Sequence, residues 1–180
     1  IRDTLESRGL GMCIRDRVNA ENNRIVSGQN DAKITIIAYE SLTCSFCADF
    51  HNKIYPLLKK EFIDAGLVKI EFRHFPLDII ALNASKISQC KQDQSLEIMM
   101  SLYSDQQAWI KGKTIEEANE NLEKFVENKN FNLDFEKCIS DKKIEDFVLN
   151  DRIEGTKKFE INSTPTICLL YTSPSPRDSR

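Results

Sequence analysis

The sequence lacks the two features that would tie it to nucleic acid or to a membrane. It has 25 basic and 28 acidic residues and a net charge of −3, so no basic excess is available for phosphate contacts. Its longest apolar run, ITIIAY, has the length of a strand and not of a membrane span. It also lacks internal repeats, a low-complexity linker and a visible secretory signal peptide. Its 180 residues therefore predict one globular domain, with room for an insertion.

The two ends of the chain lack any helical or strand periodicity. Residues 1–17 read IRDTLESRGLGMCIRDR, and residues 168–180 read CLLYTSPSPRDSR. A DNA string that encodes CLLYT also encodes MCIRD when it is reverse-complemented and read in a shifted frame. Continuing through SPSPRD gives SRGLG on the other strand, if one nucleotide is slipped. Both ends resemble translated adapter sequence from library preparation, whereas composition alone would favour a disordered tail at each end.

We therefore expect residues 1–17 and 168–180 not to be native. Without them four cysteines remain, Cys44, Cys47, Cys90 and Cys138. The intervening body then becomes slightly more acidic. We expect this body to be a fragment, because a signal sequence ahead of it and later elements behind it would both have been lost.

The body begins as an α/β unit, predicted for residues 18–78. KITIIAYES (33–41) reads as a buried strand, and LVKIEFRHF (67–75) as a second one. Between them, apolar residues recur at spacings of three and four, which predicts a helix kinked at Pro56 and ended by Gly66. A crossover of this length joins parallel strands.

From residue 79 onward the pattern is helical, which predicts a helical insertion over residues 79–150. Thr114 and Glu117 fit a capping box at the start of one of its helices. A last helix is predicted at 149–159, and INSTPTI begins another strand. Residues 151–167 therefore carry the end of this helix and a return to the α/β unit.

Cys44 and Cys47 form a CxxC motif where the first strand meets its helix. A helix N-terminus favours thiolate over thiol, because its free N–H groups and positive dipole end face the sulfur. The pattern thus predicts Cys44 as the attacking sulfur and Cys47, one turn further on, as the resolving one. Two alternatives stay open: half of a zinc site completed by Cys90 and Cys138, or merely buried cysteines. The strand-to-helix placement favours redox chemistry.

Thr164 and Pro165 stand at the threshold of the last predicted strand. If their peptide bond is cis, the turn presents the Thr164 backbone to an extended substrate. A trans proline would merely end the preceding helix.

Three motifs in this order, ESLTCSFCADFH, FRHFPLD and INSTPT, resemble the DsbA-like thiol:disulfide oxidoreductases of the thioredoxin superfamily. The resemblance implies a thioredoxin fold interrupted by a helical domain, here with the C-terminal strand and helix missing. It also implies a periplasmic location, or a membrane anchor facing the periplasm. Cys44 becomes the nucleophile, Cys47 the resolving cysteine, and Thr164–Pro165 a substrate-binding cis-proline loop.

The sequence departs from this family at two places. Ser45 and Phe46, candidate substrate contacts, stand where many members have Pro-His, and the loss of the histidine predicts a less oxidising couple. Ala38 stands where members often carry a buried acidic residue. Glu40 is a candidate proton acceptor for Cys47 in its place, although strand alternation would equally turn it to the other face.

By the same resemblance, Cys90 and Cys138 are expected to form a non-catalytic disulfide, with two free thiols as the alternative. We expect His51 and His74 to be solvated or packing side chains and not catalytic ones.

The predicted function is the introduction of disulfides into exported proteins through the CxxC pair. No metal or organic cofactor is expected. The expected partners are unfolded or reduced exported proteins and, by family analogy, a membrane quinone-linked reoxidase, and we expect a monomer. The alternatives are a disulfide reductase or isomerase of the same fold, or a zinc-stabilised noncatalytic binding module.

Overall fold

The structure, a computed structural model, describes residues 24–171. Within this range the strands form one sheet in the order β1-β3-β2-β4, with the bounds Ile25–Ser27 for β1, Ile34–Glu40 for β2, Val68–His74 for β3 and Thr166–Tyr171 for β4. β2 and β3 are parallel, while β1 and β4 pair antiparallel with β3 and β2. The predicted α/β architecture with an inserted run of helices is confirmed.

β2 and β3 are the central strands of the sheet, and both are almost completely buried. β2 reads as a near-continuous apolar run, as strands covered on both faces do, whereas β3 was recognised by its alternation of apolar and polar residues. Their register places Ala38 opposite Phe72. β1 was not predicted, because its three residues are too few to show a periodicity.

The crossover from β2 to β3 is a helical stretch with two π-helical turns. It consists of α1 (Ser45–Asp49), a π turn (Phe50–Ile54), α2 (Tyr55–Leu58) and a second π turn (Lys59–Ile63). Pro56 lies at the start of α2 directly after the first π turn, so the regular hydrogen-bond ladder is interrupted at the predicted place. Gly66, with φ of +72°, ends the stretch in the left-handed region that glycine favours.

Six further helices make up the inserted run: α3 (Ile79–Cys90), α4 (Ser95–Ser104), α5 (Gln106–Trp109), α6 (Ile115–Asn128), α7 (Phe135–Ser140) and α8 (Lys142–Phe159). Thr114 caps α6 as predicted, its hydroxyl accepting from Glu117 N at 3.2 Å. The Glu117 carboxylate accepts from Lys113 N at 2.7 Å, one residue earlier than in a regular capping box.

α8 starts earlier than the predicted 149–159. Its first turns are rich in Lys, Glu and Asp and carry little apolar periodicity, so they gave no helical signal. The helix also crosses the expected boundary at residue 150. Asp151, in its middle, accepts from His74 N at 3.1 Å and pairs with Arg24, which fixes α8 against β3.

The inserted helices are cross-linked by a disulfide between Cys90, the last residue of α3, and Cys138 in α7. Their Cα atoms lie 5.5 Å apart across a sequence separation of 48 residues. The pairing is the one that the family resemblance implied.

The segment before β4 contains a cis peptide bond between Thr164 and Pro165. β4 then pairs with β2 as far as Tyr171, and Cys168 is buried in a small cluster with Ile37 and Tyr39. The strand thus continues four residues beyond the expected native end at residue 167. The expected adapter-derived residues 1–17 and 172–180 lie outside the described residues, and the origin of both ends stays a prediction.

Candidate active site

The CxxC motif lies where β2 ends and the crossover helix begins. A turn brings Cys44 N to within 3.0 Å of Ser41 O, and the extended backbone of Cys44 caps α1. Cys44 O accepts the first helical hydrogen bond, from Ala48 N at 3.1 Å. This local geometry places the Cys44 sulfur at the helix N-terminus, as the sequence predicted.

The two cysteines of the motif are both free thiols but differ in access. Cys44 is partly exposed, whereas Cys47 is fully buried. An attacking reagent can therefore reach only the first sulfur of the pair.

The cis-proline segment lies directly beside Cys44. The Cys44 thiol donates to Thr164 O at 3.4 Å, a sulfur-to-oxygen distance typical of a weak thiol hydrogen bond. Cys44 and Thr164, 120 positions apart in the sequence, are thus brought together. From the sequence, this proximity could be inferred only through the family resemblance.

Cys47 is held in its protonated form. Burial is the largest cause that raises the pKa of this thiol, and the nearby charge of Glu40 raises it further, while a backbone hydrogen bond from Ser41 acts the other way. Deprotonating Cys47 would place a second negative charge in a buried site beside a carboxylate.

Glu40 and His51 form a buried pair beneath the motif. The Glu40 side chain turns toward the active-site helix, where Oε2 lies 2.6 Å from His51 Nε2, and both side chains are at most 2% exposed. Because Nε2 faces a carboxylate, it carries the hydrogen and donates it to Glu40. Glu40 Oε1 is buried and has no hydrogen-bond partner among the residues that the structure describes.

His51 is enclosed on its remaining sides by side chains from β3 and α4. Its ring stacks on Tyr103 with centroids 4.1 Å apart, and Phe72 lies 5.2 Å away. Its Nδ1 lies 3.2 Å from the Met100 sulfur. His51 is therefore a buried packing side chain, as expected. Its hydrogen-bond partner Glu40, however, lies in the active site next to Cys47.

The two residues between the cysteines project into solvent. Ser45 is exposed, and the Phe46 ring is 71% exposed next to Cys44.

His74 is not brought to the cysteines. It is buried where β3 ends, its Nε2 lying 2.8 Å from Gln89 Nε2, which donates to it. Burial, aided by the charge of Arg24, lowers the pKa of His74 to about 3. His74 is therefore a neutral core residue.

Sequence reasoning missed the side chains that hold the motif in place. Gln106 in α5 donates to Leu42 O and Cys44 O, and Asp78 accepts from the Thr43 hydroxyl at 2.7 Å. Asp78 carried a signal, since an Asp directly before an apolar helix is a typical N-cap. Gln106 carried none.

The arrangement is suited to thiol chemistry more than to metal binding. Cys90 and Cys138 are bonded to each other, which removes the proposed second half of a zinc site. Between residues 24 and 171, no three side chains of His, Cys, Asp or Glu come together in a way that could hold a metal ion.

Comparisons with known proteins agree with this geometry. The family model described as Thioredoxin matches residues 20–170. A crystal structure of Wolbachia pipientis alpha-DsbA1 superposes with a TM-score of 0.75 and 32% identity, over 84% of this chain and 76% of that one. The oxidised Bacillus subtilis BdbD structure, 20% identical with a TM-score of 0.68 over 86% of this chain and 85% of that one, shares the fold.

A relative from Rickettsia bellii, named "Putative protein-disulfide oxidoreductase", is 26% identical over 178 residues, or 92% of this chain. The chain spans 67% of the length of that relative. The chain therefore belongs to the thioredoxin superfamily, in its group of DsbA-like thiol:disulfide oxidoreductases.

Proposed function

We propose that the chain oxidises pairs of cysteines in exported proteins, with Cys44 as the sulfur that meets the client and Cys47 as its buried partner. The observation that carries this proposal is the asymmetry of the two thiols. Cys44 is accessible and lies 3.4 Å from Thr164 O in the cis-proline segment, whereas Cys47 is fully buried one turn further on.

The exchange transfers two electrons from the client to the chain. A client thiolate attacks Cys44 Sγ of the Cys44–Cys47 disulfide, so that a mixed disulfide forms and Cys47 leaves with the electron pair. A second client thiolate then attacks the client sulfur of the mixed disulfide, which releases the oxidised client and leaves Cys44 as a thiolate. Re-oxidation needs a two-electron acceptor, which we propose to be a membrane quinone-linked protein.

The environment of Cys47 keeps this thiol protonated after the exchange, which slows the resolving step that a reductase needs. A reductase needs Cys47 as a thiolate to break the mixed disulfide, but burial and the charge of Glu40 raise the pKa of this thiol. In the oxidase direction, Cys47 leaves the Cys44–Cys47 disulfide and takes up a proton. In the same environment it then remains a thiol. We therefore favour the oxidase over the reductase or isomerase.

Glu40 is proposed to exchange a proton with Cys47: it accepts the proton of the Cys47 thiol when the dithiol is re-oxidised, and returns it when Cys47 leaves the disulfide. Its Oε2 is engaged by His51 at 2.6 Å, while its buried Oε1 has no partner among the described residues and remains available as a proton carrier. This role would replace that of the acidic residue which family members often carry at the position of Ala38.

Client binding is assigned to the segments on either side of Cys44. The Thr164–Pro165 segment lies beside Cys44 and offers backbone groups to which an extended client can pair, and the exposed Phe46 ring offers an apolar contact beside Ser45. Without a histidine between the cysteines, we expect the couple to be less oxidising than in family members that have Pro-His there.

Because the proposed clients are exported and the proposed reoxidase is a quinone-linked membrane protein, we propose that the chain acts at the periplasmic side of a membrane, as a monomer. Across residues 24–171 no helix is both long and apolar enough to cross a bilayer.

The test is oxidation of a reduced peptide with two cysteines by the disulfide form of the chain, followed by mass spectrometry. We expect one client disulfide per chain and no turnover by Cys44→Ser. When Cys47→Ser is mixed with the same peptide in its disulfide form, Cys44 should attack that disulfide and accumulate as a mixed disulfide. Equilibration with glutathione gives the potential. A wild-type chain that leaves the peptide reduced, or that binds stoichiometric zinc, would overturn the proposal.

A further inference from the structure

The helical insertion reaches the active-site loop through one buried side chain, Gln106. This first residue of α5 is only 4% exposed. Its amide nitrogen donates to Leu42 O at 2.8 Å and to Cys44 O at 3.0 Å. Both N–H groups of the amide thus donate to backbone carbonyls, one on either side of Thr43.

The orientation of the Gln106 amide follows from its partners. Carbonyl oxygens only accept hydrogen bonds, so the nitrogen end of the amide must face them and the oxygen end cannot. Any residue without a forked N–H donor at this position would leave these two carbonyl contacts unmade.

α5, which carries this side chain, is held in place by contacts of the residues at its two ends. Trp109, fully buried at the other end of the helix, donates from Nε1 to Leu102 O at 2.9 Å. Asp105, directly before Gln106, pairs with Lys129 at 2.7 Å. The backbone that carries Gln106 is therefore fixed by contacts on both sides of this residue.

The carbonyl of Cys44 is also the one that starts the active-site helix, since it accepts from Ala48 N at 3.1 Å. On its other side the loop is held by the Thr43 hydroxyl, which donates to Asp78 at 2.7 Å. Gln106 thus holds the turn from which the active-site helix starts, at the residue that carries the exposed sulfur.

We propose that Gln106 is a positioning residue that sets the reactivity of Cys44 from the helical insertion. The proposal rests on the proposed function, because it concerns the same thiol. Without the two donors, the loop carbonyls turn toward other partners, and the start of the helix moves together with the Cys44 sulfur. Cys44 then loses the position in which its thiol bonds to Thr164 O. Because only the dithiol form makes this hydrogen bond, the dithiol is then less favoured relative to the disulfide.

The test compares Gln106→Met, which keeps the length of the side chain but has no donor, with Gln107→Met at the exposed neighbouring position. Alkylation of Cys44 by iodoacetamide at pH 6 and equilibration with glutathione are measured on both. We expect roughly threefold to tenfold slower alkylation in Gln106→Met, and a shift of similar size toward the disulfide form. Gln107→Met should match the wild type in both measurements.

Gln106→Asn keeps the amide but shortens its reach by one methylene, so we expect values between those of the wild type and Gln106→Met. It carries the same test if Gln106→Met does not fold. Equal alkylation rates and equal glutathione equilibria in the wild type and the Gln106 variants would overturn the proposal. Since alkylation uses no client, a chain that fails to oxidise peptides rejects the proposed function without deciding the role of Gln106.

Discussion

At the scale of single residues, the proposed direction of electron flow rests on Cys47, because burial raises the pKa of its thiol. If Cys47 left the disulfide as a bare thiolate, its negative charge would be buried beside the Glu40–His51 pair. A proton must therefore accompany the electron pair. Glu40, paired with His51 at 2.6 Å, is the acid close enough to be sensed by the Cys47 thiol.

Replacing Glu40 by Gln tests this role. Glu40→Gln keeps the shape of the side chain but cannot carry the proton, so we expect the rate of mixed-disulfide formation at pH 7 to fall roughly tenfold or more. The rate is measured by stopped-flow fluorescence with a reduced peptide. Glu61→Gln, at an exposed position of the same crossover helix, is the matched control.

An unchanged rate in Glu40→Gln, with the fold intact by circular dichroism, would contradict the role. A fall shared equally by Glu61→Gln would point to a general effect of net charge.

Single residues were the hardest scale to predict from the sequence. The type and order of Cys44 and Cys47 were visible because spacing alone defines the motif. Glu40 ends its strand, where alternation no longer decides which face a side chain takes, so its side could not be predicted. Gln106 is one glutamine in a polar stretch, and only the three-dimensional packing of α5 against the loop distinguishes it from Gln107.

At the scale of elements, the Cys90–Cys138 bridge joins the end of α3 to α7. It closes a loop of 48 residues that contains α4, α5 and α6. The loop therefore includes the helix that carries Gln106, although the bridge itself lies apart from the CxxC motif.

Removing the bridge should cost stability more than chemistry. For Cys90→Ala combined with Cys138→Ala we expect the free energy of unfolding to fall by about 4 kcal/mol, because the unfolded chain regains the freedom of a loop of this length. Urea denaturation without reductant measures the loss. A change below about 1 kcal/mol would contradict the entropic account.

The wild-type chain in the same urea series is the reference, and peptide oxidation is the second readout. The double variant should oxidise the peptide at a rate within about twofold of the wild type while it is folded, since both catalytic thiols are unchanged.

Elements with strong apolar patterns were predictable, and those without were not. β2 follows from its run of Ile, β3 from its alternation of apolar and polar residues, and the crossover helix from apolar spacings of three and four. β1 is too short to show alternation, and the two π turns have no sequence signature other than Pro56. The start of α8 was missed because its first turns are charged.

At the scale of the whole molecule, the sheet separates two environments. One face carries the crossover helix and the main apolar core, whereas α8 covers a charged cluster in which Arg73 pairs with Glu71 and Glu154. His74 lies at the end of β3 between these regions, buried and held by Gln89 and Asp151.

The stability of the molecule should depend on pH through His74. Its pKa is lowered to about 3 in the folded chain by burial, against about 6.5 in the unfolded one, so between these values only the unfolded chain binds the proton. The contribution of His74 to the free energy of unfolding is therefore fully present above about pH 6.5. It is lost as the pH falls toward 3, by up to about 1.4 kcal/mol per pH unit.

Urea denaturation at pH 4, 5, 6 and 7 checks this expectation against His74→Gln, which keeps a polar side chain but does not titrate in this range. The difference in stability between the two proteins should shrink as the pH falls. Parallel curves for the wild type and the variant would contradict the assignment.

The hydrogen bonds from Gln106 to the carbonyls of Leu42 and Cys44 have a consequence for protein engineering. The inserted helices cannot be exchanged freely for those of another protein, because α5 carries the side chain that holds the active-site loop. A chimera that grafts a foreign insertion between β3 and β4 should keep its cysteines but inherit the reactivity of the donor. Residues 42–44 and 106 should therefore be transplanted together.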